Sequence, residues 1–276
     1  MKIYDKNKNR LIFLIRNIKN VYWDFHWLKT WDKIKNTIFV FDPNALVCKI
    51  TPRFLKSNNG PLLEGGCGLG GNVFLLKSLG FETYGIDSAY KTVEIINAKM
   101  PSLKISVGDI RKIPFSNDFF AGYWSLGVIE HFFNGYEDVV KEMVRVIKSK
   151  GFLFITFPYF SLLRKLKARF NLYKRISKDF YDNNQILQHF YQYIFDKNEI
   201  IKEFEKSGFV PKYSEVLEGI KGFKDEIFFL KFFFKRFFQL LYDSENSKIM
   251  NLIKSIFERI LVKFSAHITL LVFQKL

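Results

Sequence analysis

One stretch limits what this chain can fold into more than any other: PLLEGGCGLGGN, residues 61–72. Pro61-Leu62-Leu63 reads as a short apolar strand. Five glycines follow within residues 65–71, and Gly71 to Leu79 then has the apolar spacing of a helix, stopped by Gly80. Glycine lets a backbone turn sharply and lets a ligand approach with no Cβ in the way. The free N–H groups of the following helix point toward such a ligand. The letters fit two spacings, E-x-G-x-G-x-G from Glu64 and G-x-G-x-x-G through Gly66, Gly68 and Gly71. The turn alone therefore leaves two classes of nucleoside cofactor open.

A strand, turn and helix of this kind needs parallel neighbours, and the sequence supplies them. Glu82–Ile86 is a second strand ending at Asp87, followed by a helix over 88–99 with Ser88 placed to cap it. Leu103–Val107 and Phe119–Leu126 are the third and fourth strands. A helix over 136–147 places Val139, Val140, Met143, Val144 and Ile147 on one face. Phe152–Phe157 is a fifth strand, closed by Pro158. Near-continuous apolar strands alternating with helices predict a parallel sheet covered on both faces. A helix over 196–206, a strand over 209–217 and a last strand over 264–274 complete the pattern.

Three segments depart from that rhythm. Residues 1–58 are basic and aromatic, and read as a helical cap with helices near 9–19, 22–38 and 43–57. Domain assignment follows as this cap plus a catalytic domain over 59–276. Residues 159–194 are too long for a plain connection, and a long excursion at the carboxyl end of a parallel strand tends to line a binding site. They are expected to be a substrate lid. Residues 223–262 read as a helical insertion, within which 227–241 (IFFLKFFFKRFFQLL) is Phe-rich with Lys231, Lys235 and Arg236. Internal packing, a partner subunit and an anionic membrane interface each account for such a stretch.

Composition narrows the setting. The net charge of +16 favours anionic partners, although solubility and codon bias also produce it. Two cysteines, Cys48 and Cys67, make neither a disulfide framework nor a zinc motif, which fits a reducing cytoplasm. No uncharged apolar run approaches the roughly 18–20 residues that span a bilayer. The expected location is cytoplasmic, with peripheral contact at the inner face of the membrane as an extension of it.

The acids at the strand ends separate the two cofactor classes. Glu64 ends the first strand, where a carboxylate repels a pyrophosphate and attracts the ammonium and sulfonium of S-adenosylmethionine. Asp87, nineteen residues after Gly68, is placed to accept ribose hydroxyls, a role that serves NAD equally well. Asp109 ends the third strand, where it is placed to accept an adenine amino group. Helix capping is the plainer reading of both aspartates.

In this order the motifs resemble class I S-adenosylmethionine-dependent methyltransferases, in particular small-molecule enzymes of the type 11 group. LLEGGCGLG is similar to their first motif; YGIDSA, VGDIRKIPFSNDFFAGYWSLGVIEHF and EMVRVIKSKGFLFITFP are similar to the next ones. The resemblance runs from about 60 to 215. It implies a Rossmann-like sheet of seven strands, mostly parallel, with the last strand antiparallel and inserted beside the sixth. It implies S-adenosyl-L-methionine as cofactor, contacted by Glu64, Gly66, Cys67, Gly68, Asp87, Ser88, Asp109, Ile110 and Ser125. The 223–262 insertion departs from the family, which has a short link there.

The resemblance also places the loop carrying Glu130 and His131 opposite the donor methyl group. Methyl transfer requires alignment of acceptor and donor and, for a hydroxyl acceptor, removal of a proton. His131 has a suitable ordinary pKa, so His131 and Glu130 are the catalytic candidates; a structural role in starting the next element is the alternative. Glu130, His131, Glu137 and Asp138 match no metal-ligand spacing, and no metal is expected. Tyr159, Arg164, His189 and Tyr191 are the substrate-side candidates, the arginine suiting a phosphate or carboxylate. The expected activity is methyl transfer to a small molecule at oxygen: a sugar, a quinone precursor or a lipid-linked intermediate. An NAD(P)-dependent oxidoreductase is the rival, and a nucleic-acid methyltransferase is disfavoured by the lack of an NPPY-like tetrapeptide or RNA-binding module.

Overall fold

The computed structural model describes residues 1–15, 22–176, 180, 184–227 and 248–276. In chain order the elements are β1 (Lys2–Asp5), β2 (Arg10–Leu14), α1 (Tyr22–Ile34), α2 (Leu46–Ile50), β3 (Leu62–Gly65), α3 (Gly71–Ser78), β4 (Thr83–Asp87), α4 (Tyr90–Lys99), β5 (Lys104–Val107), β6 (Phe120–Leu126), α5 (Glu137–Val146), β7 (Ile147–Pro158), α6 (Leu162–Arg169), β8 (Lys174–Arg175), α7 (Asn184–Leu187), β9 (Phe190–Ile194), α8 (Lys197–Lys206), β10 (Phe209–Leu217), α9 (Gly219–Glu226), α10 (Lys248–Ser265) and β11 (Ile268–Lys275).

Seven strands form one sheet in the order β10-β11-β7-β6-β3-β4-β5. The β3–β4, β4–β5, β3–β6 and β6–β7 pairs are parallel. The last strand, β11, lies between β10 and β7 and runs against them: the Leu276 N–H meets the Gly208 carbonyl, while Thr269 Oγ1 donates to the Glu215 carbonyl at the other end. This is the mostly parallel sheet with one antiparallel strand that the sequence implies. The chain leaves β3 for β4 and β5, then returns to pair β6 on β3's other side. That reversal opens a crevice at the carboxyl ends of the strands, where the glycine-rich turn sits.

The chain divides into two compact units. One, residues 16–156, 201–213 and 271–276, holds the glycine turn. Its packing explains the tryptophan-rich helix: Trp27, Trp31 and Ile34 of α1 press on a cluster of Cys67, Leu69, Val73, Val93, Ile96 and Ile105. The buried Trp124 ring stacks on Phe154 at 4.4 Å and donates its Nε1–H to Thr51 Oγ1 at 3.1 Å. The helix expected near 43–57 is shorter. It ends at Ile50 and tightens into a 3-10 turn over Thr51–Arg53, because Pro52 cannot continue an α-helical ladder.

The other unit, residues 1–15, 157–200 and 214–270, has its own sheet in the order β8-β1-β2-β9. Here the expectation of helix near 9–19 is overturned in its described part, for β1 and β2 form an antiparallel hairpin with Ile3 opposite Ile12. The polar turn between them reverses the chain at Asn9, whose φ of 45° suits asparagine. β2 also pairs antiparallel with β9. Leu11, Phe160, Ala168, Tyr173 and Ile194 make this unit's core. Of the expected insertion over 223–262, the parts within α9 and α10, 223–226 and 248–262, are helical, and the Phe-rich stretch beyond Ile227 lies outside the described residues. Among the described residues, no helix is long and apolar enough to cross a membrane.

Candidate functional site

β3 delivers Glu64 to the glycine turn with only 2% of its surface exposed. Asn72, in the first turn of α3, donates its Nδ2–H to Glu64 Oε1 at 2.9 Å. Oε2 is buried and has no protein partner. Burial pushes the carboxyl up to about 8, with nearby Asp87 adding to the rise, against the lowering effect of Asn72. A buried carboxylate oxygen without a partner is costly, and a cation would remove that cost.

The turn itself is built for close approach. Gly66, Gly68 and Gly70 have φ of 75°, 50° and 73°, a region that side chains rarely enter. A Cβ on Gly66 would lie 2.6 Å from Val128, and one on Gly68 2.5 Å from the Trp27 ring. The N–H groups of Gly66 and Cys67 donate to the Ile86 carbonyl, tying the turn to β4. The Cys67 thiol is buried in the adjoining core, where burial raises its pKa well above the usual range. Cys67 thus contributes its backbone path and not its sulfur.

Asp87, at the end of β4, is 6% exposed. Its Oδ2 accepts the Gly68 N–H at 2.7 Å and its Oδ1 the Ala89 N–H at 2.8 Å. Burial raises its pKa against those two bonds. Each oxygen keeps a lone pair for a further donor. Ser88 is exposed and does not cap α4. The cap comes from a distance: Asp24 of α1 accepts the Thr92 N–H at 3.1 Å. At the end of β5, Asp109 is exposed, and its carboxylate is forked by Arg111 at 2.7–3.0 Å, which lowers its pKa. Ile110 is buried. Ser125, near the end of β6, is 1% exposed and its Oγ lacks a protein partner.

Glu130 and His131 share a 3-10 turn (Ile129–His131) after β6 but face different surroundings. Glu130 is buried; desolvation raises it to about 8, and its Oε2 has no protein partner. His131 is half-buried, its ring edge-on to Trp23 at 4.7 Å. Among the described residues, no group of three or more His, Cys, Asp or Glu side chains could hold a metal ion.

The substrate-side candidates belong to the other unit. Tyr159 is half-buried; burial raises its hydroxyl. Arg164 is buried and committed elsewhere: its Nε donates to Glu226 at 2.8 Å and Nη1 to the Tyr159 carbonyl at 2.6 Å. It is a strut in this structure, so the expectation that it would hook an anionic acceptor is corrected. A carboxylate inside the fold already takes its charge. His189 lies against the Ile15 carbonyl at 3.2 Å, and Tyr191 packs edge-on to Phe13 at 5.7 Å. Sequence reasoning missed Asn72 and, on α1, Asp24 and the particular contacts that Trp23 and Trp27 make. Asn72 was within reach, eight residues after the acid it serves; the α1 residues act across contacts that no local pattern encodes.

Comparison with known proteins decides the family of the central segment. The type 11 family model, described as a methyltransferase domain, matches residues 63–155. That third of the chain matches a methyltransferase domain. Within that domain fall Glu64, the glycine turn, Asp87, Asp109, Ser125, Glu130 and His131. Sterol 4-C-methyltransferase strm-1 of Caenorhabditis elegans is 29% identical over 113 residues, which is 39% of this chain and 34% of that protein. The chain thus aligns with about a third of that relative's length. Among solved structures, phosphoethanolamine N-methyltransferase 2 of Haemonchus contortus, in complex with S-adenosyl-L-methionine, has a TM-score of 0.54 at 16% identity, covering 93% of this chain and 58% of that one. Geranyl diphosphate C-methyltransferase of Streptomyces coelicolor, with Mg2+, geranyl diphosphate and S-adenosyl-L-homocysteine, has a TM-score of 0.54 at 13% identity, covering 92% and 98%. At such identities the likeness is one of fold.

Proposed function

We propose that the protein transfers the methyl group of S-adenosylmethionine to a small-molecule acceptor. The observation that carries this reading is Glu64: a buried carboxylate with one oxygen lacking a protein partner, beside a turn whose glycines leave no room for side chains. That environment suits a cation and rejects a pyrophosphate. Glu64 would hold the ammonium of the methionine part. Asp87, fixed by the Gly68 and Ala89 N–H groups, would accept the ribose hydroxyls. Ser88, Asp109 and Ile110 would flank the adenine, and Ser125 would line the floor with Gly66 and the Cys67 backbone. When bound, the cofactor supplies an electrophilic methyl carbon on a positively charged sulfur.

The chain's own part in the reaction is positioning and proton handling. His131, half-exposed and braced by Trp23, is the base for an acceptor hydroxyl. Glu130 holds its proton at neutral pH, because burial lifts its carboxyl to about 8. It remains the second catalytic candidate, its buried carboxyl in the same turn as His131. Oxygen is the proposed acceptor atom; carbon is the second reading, favoured by two relatives named for C-methylation. A lipid-linked or isoprenoid acceptor is compatible with both. Tyr159, His189 and Tyr191 remain the proposed acceptor contacts.

Incubating the protein with methyl-labelled S-adenosylmethionine and cell extract tests the proposal. Label should enter a small-molecule fraction, and base treatment and mass spectrometry would locate the methyl on oxygen, carbon or nitrogen. Label found only in nucleic acid would contradict the acceptor class.

A further inference from the structure

The turn joining α6 to β8 exposes Phe170 and Leu172 at 69% and 67% of their surfaces. Single exposed apolar residues are ordinary, but this pair is held out by a well-defined backbone. Asn171 takes the left-handed conformation, with φ 56°, and ends the helix. The Leu172 N–H reaches back to the Lys167 carbonyl at 2.9 Å, and the Asn171 N–H to the Ala168 carbonyl at 3.2 Å. Such a helix end normally folds its following apolar residue against the helix; here that residue stays in solvent. Both flanks are anchored: Ala168 and Tyr173 are core residues, and the Tyr173 hydroxyl donates to Glu226 at 2.6 Å.

Charge surrounds the apolar pair. Arg169, Lys174 and Arg175 are exposed, and among the described residues no carboxylate forms an ion pair with them. From Arg169 to Lys178 the chain has four Lys or Arg and no Asp or Glu. In the same unit, α10 packs on α9 and α6 and leaves Leu252, Ile256 and Ile260 exposed at four-residue intervals, with Arg259 and Lys263 exposed beside them.

We propose that the α6–β8 turn is a docking wedge for an anionic phospholipid surface: Phe170 and Leu172 enter the headgroup–acyl boundary while Arg169, Lys174 and Arg175 meet the lipid phosphates. Apolar insertion plus basic attraction is the combination that binds peripheral proteins to anionic bilayers. A free anion would use the cations and leave the two apolar side chains without a role. The inference stands apart from methyl transfer and needs no bound cofactor.

Vesicle sedimentation of the full chain tests it. Vesicles in which roughly a third of the lipid is phosphatidylglycerol should bind the protein at low salt and release it at high salt, whereas pure phosphatidylcholine should bind it weakly. Phe170→Ser with Leu172→Ser should lower the partition by about tenfold or more, with far-UV circular dichroism unchanged. Arg169→Glu with Lys174→Glu should erase the preference for anionic lipid, which keeps the idea testable if the apolar variant misfolds. Absence of binding at low salt, equal binding to both lipids, or full retention by either variant would overturn it. So would a loss of oligomeric mass in the Phe170/Leu172 variant, since the patch would then join copies of the chain.

Discussion

Glu64 is the residue on which most depends. With its carboxyl near 8, it is largely protonated at neutral pH, and a cationic ligand binds its ionised form. Affinity for S-adenosylmethionine should therefore rise as pH increases from 6 toward 8 and level off above it, with a proton released on binding at pH 7. Calorimetry in buffers of different ionisation heat reads that proton; an affinity independent of pH would remove the assigned role. Glu226 is the opposite case. Lys2, Arg164, Lys167 and the Tyr173 hydroxyl converge on it, and despite burial, which raises it, Lys2 and Arg164 hold its carboxyl down to about 2. A depressed carboxyl stabilises the fold above its unfolded value and loses that contribution as pH falls toward about 2. Glu226→Ala leaves buried cations unmatched and should cost about 3–5 kcal/mol at pH 7 in urea unfolding, with the difference from wild type shrinking toward pH 2. Glu64 and Asp87 were legible in the sequence because they stand at strand ends in a recognised order. Arg164 was not, since its partner lies 62 residues away and nothing local marks Glu226 as buried.

At the scale of elements, β3, β4, β5, β6 and the helices between them follow their sequence patterns to within a few residues. Short-range periodicity and the glycine turn fix them together. The amino-terminal segment did not follow: its apolar residues were assigned to a helix, and pairing with β9, some 180 residues later, makes them strands. α1 carries a second lesson. Its tryptophans pack on the core, and Trp27 does so against the glycine turn itself. Gly68→Ala would place a Cβ 2.5 Å from that ring at a φ of 50°. It should destabilise the protein by about 1–3 kcal/mol and weaken cofactor binding at least tenfold, as read by thermal unfolding and calorimetry. Wild-type stability in this variant would mean that Trp27 moves freely off the turn. Because Trp23 and Trp27 border His131 and Gly68, cofactor binding should also change tryptophan fluorescence.

At the scale of the whole molecule, the order of motifs identified the methyltransferase domain, and the sheet order agrees with it. The lid over 159–194 was inferred from its length. The structure resolves much of it into α6, β8, α7 and β9, elements of a unit with its own sheet and core. That unit was illegible because its parts come from three separate stretches of chain, and its sheet joins the amino-terminal β1–β2 hairpin to β8 and β9 from a distant stretch. On the proposed reading, the glycine turn with Glu64 and Asp87 binds S-adenosylmethionine and not a dinucleotide. Titration of the purified protein with S-adenosylhomocysteine and with NAD tests it most directly. Saturable binding of S-adenosylhomocysteine is expected, weakened at least tenfold in Asp87→Ala, with no heat from NAD; tight NAD binding with no response to S-adenosylhomocysteine would contradict this assignment.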